Sequence, residues 1–249
     1  MTLTVLGTAT PYPRPDQPCS GYLVQHGETA LWMDAGPGTL AELQRHCPLE
    51  ALSGVWVSHS HADHSADLLA AYYALRFSAL KPSFPLPLVA PTGLIERLEA
   101  FLGPNAPATL PTVFDLVEMR GWGESALGGL GLEWGPVDHG TPASGLRVTA
   151  GGATLAYSGD TAPCTSLVEL ADGADLLLCE VGYDNAPVDS PAVHCTPENA
   201  GTMASRAGVK RLLLTHLAET LTHEQAVDRA ATAFDGPIEV ATSGLAVTV

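Results

Sequence analysis

Short apolar blocks recur along the chain with two different periods, and the period decides each predicted element. Thr2 to Leu6, Tyr22 to Gln25 and Thr29 to Met33 predict three opening strands, with His26-Gly27-Glu28 as a tight turn between the second and third. Gly38 to His46 predicts a short helix and Val55 to Val57 a buried strand. From His64 to Leu80 the apolar positions Leu68, Tyr72 and Leu75 return at helical spacing. A strand over Leu86 to Val89 and a helix over Leu94 to Leu102 follow. The next stretch is rich in strands: Val113 to Val117, Leu130 to Trp134, Leu146 to Thr149 and Thr154 to Tyr157, the last two joined by a Gly151-Gly152 hairpin turn. Cys164 to Ala171 predicts a helix and Leu176 to Cys179 a strand. Thr196-Pro197-Glu198 opens a helix with an N-cap threonine and a proline in the first turn. Leu212 to Leu214 predicts a strand, Thr222-x-x-Gln225 is a capping box for a helix running to Ala233, and two short strands close the chain. Each half thus combines strands with strand–helix alternation, and burying that much sheet calls for a layered α/β arrangement.

Composition narrows the class. Hydrophobic residues make up 46% and charged residues 15%, which fits a sizeable core and excludes disorder. Pro and Gly are spread along the chain instead of marking one boundary, so residues 1–249 are expected to form one domain. The richest stretches, 11–18, 81–91 and 121–131, are expected as surface loops. The net charge is −16, and Lys81 and Lys210 are the only lysines, which argues against a broad basic face for nucleic acid. The apolar run Leu68 to Leu75 stops at Arg76, far short of a bilayer span, and the N-terminus lacks the basic and apolar regions of a leader. Five cysteines with no C-x-x-C spacing predict free thiols and a cytoplasmic location.

The strongest chemical signal is Ser58-His59-Ser60-His61-Ala62-Asp63-His64, three imidazoles and a carboxylate within six residues. His59 and His61 alternate about Ser60, so both can point the same way as the chain leaves its strand. Asp63 and His64 enter the following helix and can turn toward a second ion. Neutral imidazole and carboxylate are the ligands that borderline divalent metals prefer. Four residues cannot fill two sites, so further ligands are expected at strand ends. His139, Asp160 and His216 each follow an apolar run, where side chains converge on one rim of a sheet.

Together with Gly7-Thr8, Trp32-Met33-Asp34-Ala35-Gly36, Tyr157-Ser158-Gly159-Asp160-Thr161 and Leu213-Leu214-Thr215-His216, this motif resembles the metallo-β-lactamase superfamily of dinuclear metallohydrolases over nearly the whole chain. Asp138-His139-Gly140 followed by Ser144-Gly145-Leu146-Arg147, then Leu178-Cys179-Glu180, then His194-Cys195-Thr196 before Ala207-Gly208-Val209, resemble its RNase Z-like branch. The chain also resembles the short, armless members of that branch that include bacterial cyclic-nucleotide phosphodiesterases. The resemblance implies an α/β fold, a four-layer αββα sandwich. It implies that His59, His61 and His139 hold one divalent ion, that Asp63, His64 and His216 hold a second, and that Asp160 bridges them. Zinc is the first choice, with manganese or iron as alternatives. Two such ions share a hydroxide at neutral pH and neutralise the developing oxyanion, and Asp63 also orients that hydroxide. Asp34 is expected to accept an N–H from a ligating histidine and fix its tautomer. His194 is expected to assist the leaving oxygen, with Glu180 orienting or charging it.

These expectations favour a phosphodiesterase acting on a small phosphodiester such as a cyclic nucleotide. The alternatives are a tRNA 3′-end endoribonuclease, acyl or thioester hydrolysis, and a non-catalytic metal-binding member of the fold. Only Arg147 is basic between His139 and Asp160, where a bacterial RNase Z is expected to carry its substrate-gripping arm, so tRNA is disfavoured as a partner. No membrane partner is expected. The aromatics Tyr72, Tyr73 and Phe77 exceed what one core face needs and suggest a homodimer. His26, His46 and His223 are expected to be structural, Cys195 to pack and not to act as a nucleophile, and Gly128-Gly129-Leu130-Gly131 to form a turn and not a phosphate loop.

Overall fold

The computed structural model describes residues 1–79 and 85–249. Its elements run β1 (Thr2–Gly7), β2 (Gly21–His26), β3 (Thr29–Met33), α1 (Thr39–His46), β4 (Gly54–Trp56), α2 (Ala62–Ser65), α3 (Asp67–Phe77), β5 (Leu86–Pro91), α4 (Leu94–Leu102), α5 (Ala106–Thr109), β6 (Phe114–Met119), β7 (Gly123–Leu127), β8 (Leu130–Pro136), β9 (Ser144–Ala150), β10 (Ala153–Tyr157), α6 (Thr165–Leu170), β11 (Leu176–Glu180), α7 (Pro197–Ala207), β12 (Leu212–Thr215), α8 (His223–Ala230), β13 (Ile238–Val240) and β14 (Ala246–Thr248). Two seven-stranded sheets result, ordered β14-β1-β2-β3-β4-β5-β6 and β13-β12-β11-β10-β9-β8-β7.

Strand alternation sorts side chains into three apolar layers. Leu3, Val5, Leu31, Met33 and Trp56 meet Leu132, Val148, Leu155, Tyr157 and Leu178 between the sheets. The opposite residues, such as Leu6, Trp32 and Val55, pack under α1, α3 and α4 with Leu43, Leu68 and Leu98. On the far side, Leu177, Cys179 and Leu214 pack under α6, α7 and α8 with Leu167, Met203 and Ala226. Helices therefore cover both outer faces of a sheet pair, which is the αββα sandwich that the family resemblance implies. All five cysteines are free. No helix among the described residues is long and apolar enough to cross a membrane.

Both sequence-read caps are present: the hydroxyls of Thr196 and Thr222 accept from Asn199 N–H and Gln225 N–H, each in a reciprocal capping box. Four readings need correction. The continuous helix from His64 is reset at Ala66, because Ala35 N–H takes the His64 carbonyl and Ala35 C=O takes Asp67 N–H, at 2.7 and 2.8 Å. The helix is described only to Phe77, and its expected end at Leu80 lies outside the described residues, as does the start of the 81–91 loop. Residues 86–91 of that stretch are strand. The 121–131 loop holds edge strand β7, half-exposed and paired to β8 through the Gly128-Gly129 turn, and its polar, glycine-rich sequence hid it. The α8 helix stops at Ala230, three residues early.

Candidate metal centre

The site lies on one rim, where strands from both sheets end. Asp34 follows β3, Ser58 and His59 follow β4, His139 follows β8, Asp160 follows β10, Glu180 ends β11 and His216 follows β12. Backbone bonds stitch the halves together there: Ser144 N–H donates to Ser58 C=O at 3.0 Å, and Ala162 N–H to Asp138 C=O at 2.7 Å.

All ten sequence-predicted residues are brought together. His59 Nε2 and His139 Nε2 lie 3.0 and 3.1 Å from His61 Nδ1. Across the pocket, His216 Nε2 and His64 Nε2 lie 3.4 and 3.8 Å from Asp63 Oδ2. The Asp160 carboxylate stands between the two groups. Its Oδ1 is 3.2 Å from His64 Nε2, and its Oδ2 is 3.4 Å from His216 Nε2, 3.7 Å from His59 Nε2 and 3.8 Å from His139 Nε2. His194 lies beside this cluster, its Nδ1 2.9 Å from Glu180 Oε1 and 3.9 Å from Asp160 Oδ2, its ring stacked on His216 at 5.5 Å.

Asp34 supports one histidine of each group, His64 directly and His59 through Ser58. Its fully buried carboxylate accepts from Ser58 N–H, Ser58 Oγ, Tyr157 Oη and His64 Nδ1, each within 2.8 Å. With its own proton given to Asp34, Ser58 Oγ accepts from His59 Nδ1–H at 3.0 Å. One carboxylate thereby leaves Nε2 of both His59 and His64 unprotonated and facing the cluster. The Val193 carbonyl does the same for His139, taking Nδ1–H at 2.8 Å. Asp34 and His216 both adopt left-handed backbone, with φ of 55° and 53°, a conformation held where surrounding contacts over-determine it.

The model of a β-lactamase superfamily domain matches residues 29–217. The chain belongs to the metallo-β-lactamase superfamily. It is 38% identical over 241 residues to an uncharacterized protein of Mycobacterium bovis, Mb1374, covering 95% of this chain and 88% of that one. It is 33% identical over 271 residues to a Ribonuclease Z of Mycobacterium bovis strain BCG, covering 96% and 95%. The crystal structure of the metallo-β-lactamase fold protein YhfI from Bacillus subtilis superposes with a TM-score of 0.88 at 28% identity, covering 99% of this chain and 98% of that one.

The superfamily is one of hydrolases on a fold that generally binds divalent metals, and the residues here fit such ions. His64 Nε2 and Asp160 Oδ1 are buried with no hydrogen-bond partner among the described residues. His59 Nε2 and His139 Nε2 both crowd within 3.1 Å of His61 Nδ1, where a cation satisfies all three nitrogens and shared protons cannot. Donor groups able to hold a metal are His59, His61 and His139; His59, His64 and Asp160; and Asp63, His64 and His216, with further sets that include His194.

The electrostatics of His59, His61, Asp63 and Asp160 agree with such a donor set, while His64 runs the other way and would give up its Nε2 proton to an ion. Burial and the neighbouring His64 push His59 well down, so its imidazole stays neutral. Burial likewise lowers His61. Burial would raise Asp160, but His216 and His64 hold it well below the ordinary carboxylate range. Asp63 is also lowered: His216 and His64 outweigh the effect of its burial. His64 is buried, which disfavours its charge, yet Asp160 and Asp34 raise it well above the usual imidazole value. For His194, Glu180 outweighs burial and raises the imidazole.

Cys195 faces away from this chemistry. Its buried thiol donates to Thr161 C=O at 3.0 Å, and contact with Cys179 and burial raise it well above the ordinary thiol value. Sequence reasoning missed three supports: Ser58, Tyr157 and the Val193 carbonyl. Ser58 and Tyr157 stand inside the quoted motifs, and a polar side chain at an inward strand position was their one available signal. A backbone carbonyl leaves no trace in sequence.

Proposed function

We propose that this protein is a dinuclear metal-dependent phosphodiesterase acting on a small phosphodiester, with cyclic nucleotides first. The observation that carries this reading is the His194–Glu180 pair beside two metal-ligand groups with the Asp160 carboxylate between them. In this reading His59, His61 and His139 hold one ion, Asp63, His64 and His216 the other, and zinc is the first choice. Two such ions supply Lewis acidity and lower the pKa of a bound water. Asp63, held ionised by His216, accepts a hydrogen bond from the attacking water and aims it. His194, charged by Glu180, donates a proton to the departing oxygen. Asp34 keeps His59 and His64 in the tautomers that present Nε2.

A tRNA 3′-end endonuclease is the second reading, favoured by the relatives named Ribonuclease Z. Two observations weigh against it. Those relatives align over 271 positions, more than this whole chain, so they carry segments that it lacks. The stretch between His139 and Asp160 is a plain β9–β10 hairpin, and its one cation, Arg147, donates to the Leu170 and Asp172 carbonyls at 2.9 Å. A panel of 2′,3′- and 3′,5′-cyclic nucleotides, bis-p-nitrophenyl phosphate and precursor tRNA separates the readings. Processing of tRNA without cyclic-nucleotide turnover overturns ours, and bound metal with no turnover at all leaves a non-catalytic member.

A homodimer through α3 belongs to the same proposal. Tyr72 turns into the core, while Tyr73 and Phe77 stack outward at 5.9 Å with exposures of 51% and 67%. Light scattering at micromolar concentration is expected to give twice the chain mass, and a monomer ends the idea.

A further inference from the structure

A cleft of about 270 Å³ opens directly beside the metal centre and shares His61 with it. Two helical stripes with the same spacing form its walls. One is Ala62, Ser65, Ala66 and Leu69 along α2 and the start of α3, whose small residues leave the gap. The other is Leu94, Arg97, Leu98 and Phe101 on α4, an i, i+3, i+4, i+7 face. Arg97 Nη1 donates to the C=O of Ser60, the residue between His59 and His61 in sequence, at 3.3 Å. The Phe101 ring stands at the other end of the stripe with 71% of its surface exposed.

From this juxtaposition we infer that the cleft is the subsite for the organic group retained on the phosphodiester, and that it takes a flat aromatic heterocycle, as in a nucleoside. The inference rests on the phosphodiesterase reading and goes further by naming what holds the substrate away from the reacting phosphorus. Its volume is near the lower end of small-molecule sites. Ala62, Ala66, Leu69, Leu94 and Leu98 give its walls apolar surface that suits a ring face, and Phe101 offers a stacking platform. Arg97 offers N–H donors to ring nitrogens or carbonyls on the edge nearest the phosphate. The cleft continues from His61, so a ring in it stays tethered to a phosphate at the histidines. His194 does not line the cleft; it stands beside His216 and Glu180, where the leaving oxygen would take its proton.

Two diesters with one leaving group test this: p-nitrophenyl phenyl phosphate and p-nitrophenyl methyl phosphate, each with the metal-loaded full chain. Phe101→Ala is expected to lower kcat/KM for the phenyl ester about tenfold, mainly through KM, as loss of one ring-stacking contact does. The methyl ester is expected to change less than about twofold, and Phe101→Tyr to restore the phenyl ester. Equal losses on both esters, or no loss on either, overturn the subsite. Calorimetric binding of diphenyl phosphate gives a readout without turnover. If neither ester is hydrolysed by the unsubstituted chain but diphenyl phosphate binding still depends on Phe101, the phosphodiesterase reading falls and the aromatic cleft stands. Binding indifferent to Phe101→Ala overturns the cleft itself.

Discussion

In the first sheet β1 to β3 run antiparallel and β3 to β6 parallel; in the second β7 to β10 run antiparallel and β10 to β13 parallel. The two halves share this plan but load their strand ends differently. The first half concentrates His59, His61, Asp63 and His64 at the end of one strand, β4, over a single buried carboxylate, Asp34. The second half places one residue per strand: His139 after β8, Asp160 after β10, Glu180 on β11 and His216 after β12. The difference lies in what fixes geometry. In the first half, local chain turns and one hydrogen-bond hub do so. In the second, the sheet itself does, because strands 4.7–4.9 Å apart set side chains at ligand distance from one another.

Metal removal tests both halves at once and carries the largest expected effect. Protein purified without chelator is expected to hold close to two ions per chain by elemental analysis. Stripping them is expected to abolish turnover and lower Tm, since ions that bind only the folded state stabilise it by mass action. A stoichiometry of one at saturating metal ends the bridging role of Asp160.

Next in size is Asp63→Ala, a lesion in the concentrated half. Turnover is expected to fall at least a hundredfold, as loss of the group that aims a nucleophile does. The fold is expected to survive, because Asp63 adds little apolar packing. His216, 3.4 Å away, comes from the other half. If the halves build one unit, the losses of Asp63→Ala and His216→Ala are strongly non-additive in kcat. Additive losses mean two independent sites.

His194→Ala touches only the scattered half. It is expected to keep both ions, to lose about 10²-fold or more on a cyclic nucleotide, and to lose much less on bis-p-nitrophenyl phosphate, whose leaving group needs no proton. Equal losses on both substrates point to binding, and loss of an ion makes His194 a ligand.

The same contrast explains what could be read from sequence. The His59–His64 run is legible because its chemistry is contiguous. His139, Asp160 and His216 are legible only as residues that follow apolar runs, and gain meaning from the first cluster. The N-cap at Thr196 and the capping box at Thr222 are local and legible directly. The break at Ala66 is not, since it depends on Ala35 bonding across to His64 and Asp67, residues about thirty positions away. Strand β7 was hidden because an edge strand needs few apolar residues. The hub at Asp34 could be placed at a strand end, but its four donors come from β4, α2 and β10, which only the fold assembles.

The smallest expected effect probes how the scattered half holds its one loop-borne residue. The segment from Val181 to Thr196 carries His194, and one guanidinium from α8 clamps both its ends. Arg229 Nη1 and Nη2 bond Asp184 Oδ1 and its carbonyl at 2.6 Å, while Nε and Nη2 bond Glu198 at 2.7 and 3.0 Å. Arg229→Ala is expected to lower kcat on a cyclic nucleotide a few-fold and to leave bis-p-nitrophenyl phosphate turnover nearly unchanged, because the loop that aims His194 loosens while the ligands stay. Stability gives a second readout. The bond from Arg229 pushes the Glu198 carboxyl down to about 2. A carboxyl lowered on folding stabilises the protein above its ordinary pKa of about 4.3, and that stability fades as pH falls toward the lowered value. Both partners are partly exposed, so solvent screening keeps the contribution below ~1 kcal/mol. The Tm difference between the unsubstituted chain and Arg229→Ala is therefore expected to be a few degrees at pH 6 and to shrink between about pH 5 and pH 2. A difference that stays constant across that window assigns the clamp to packing of the arginine stem instead of its charge.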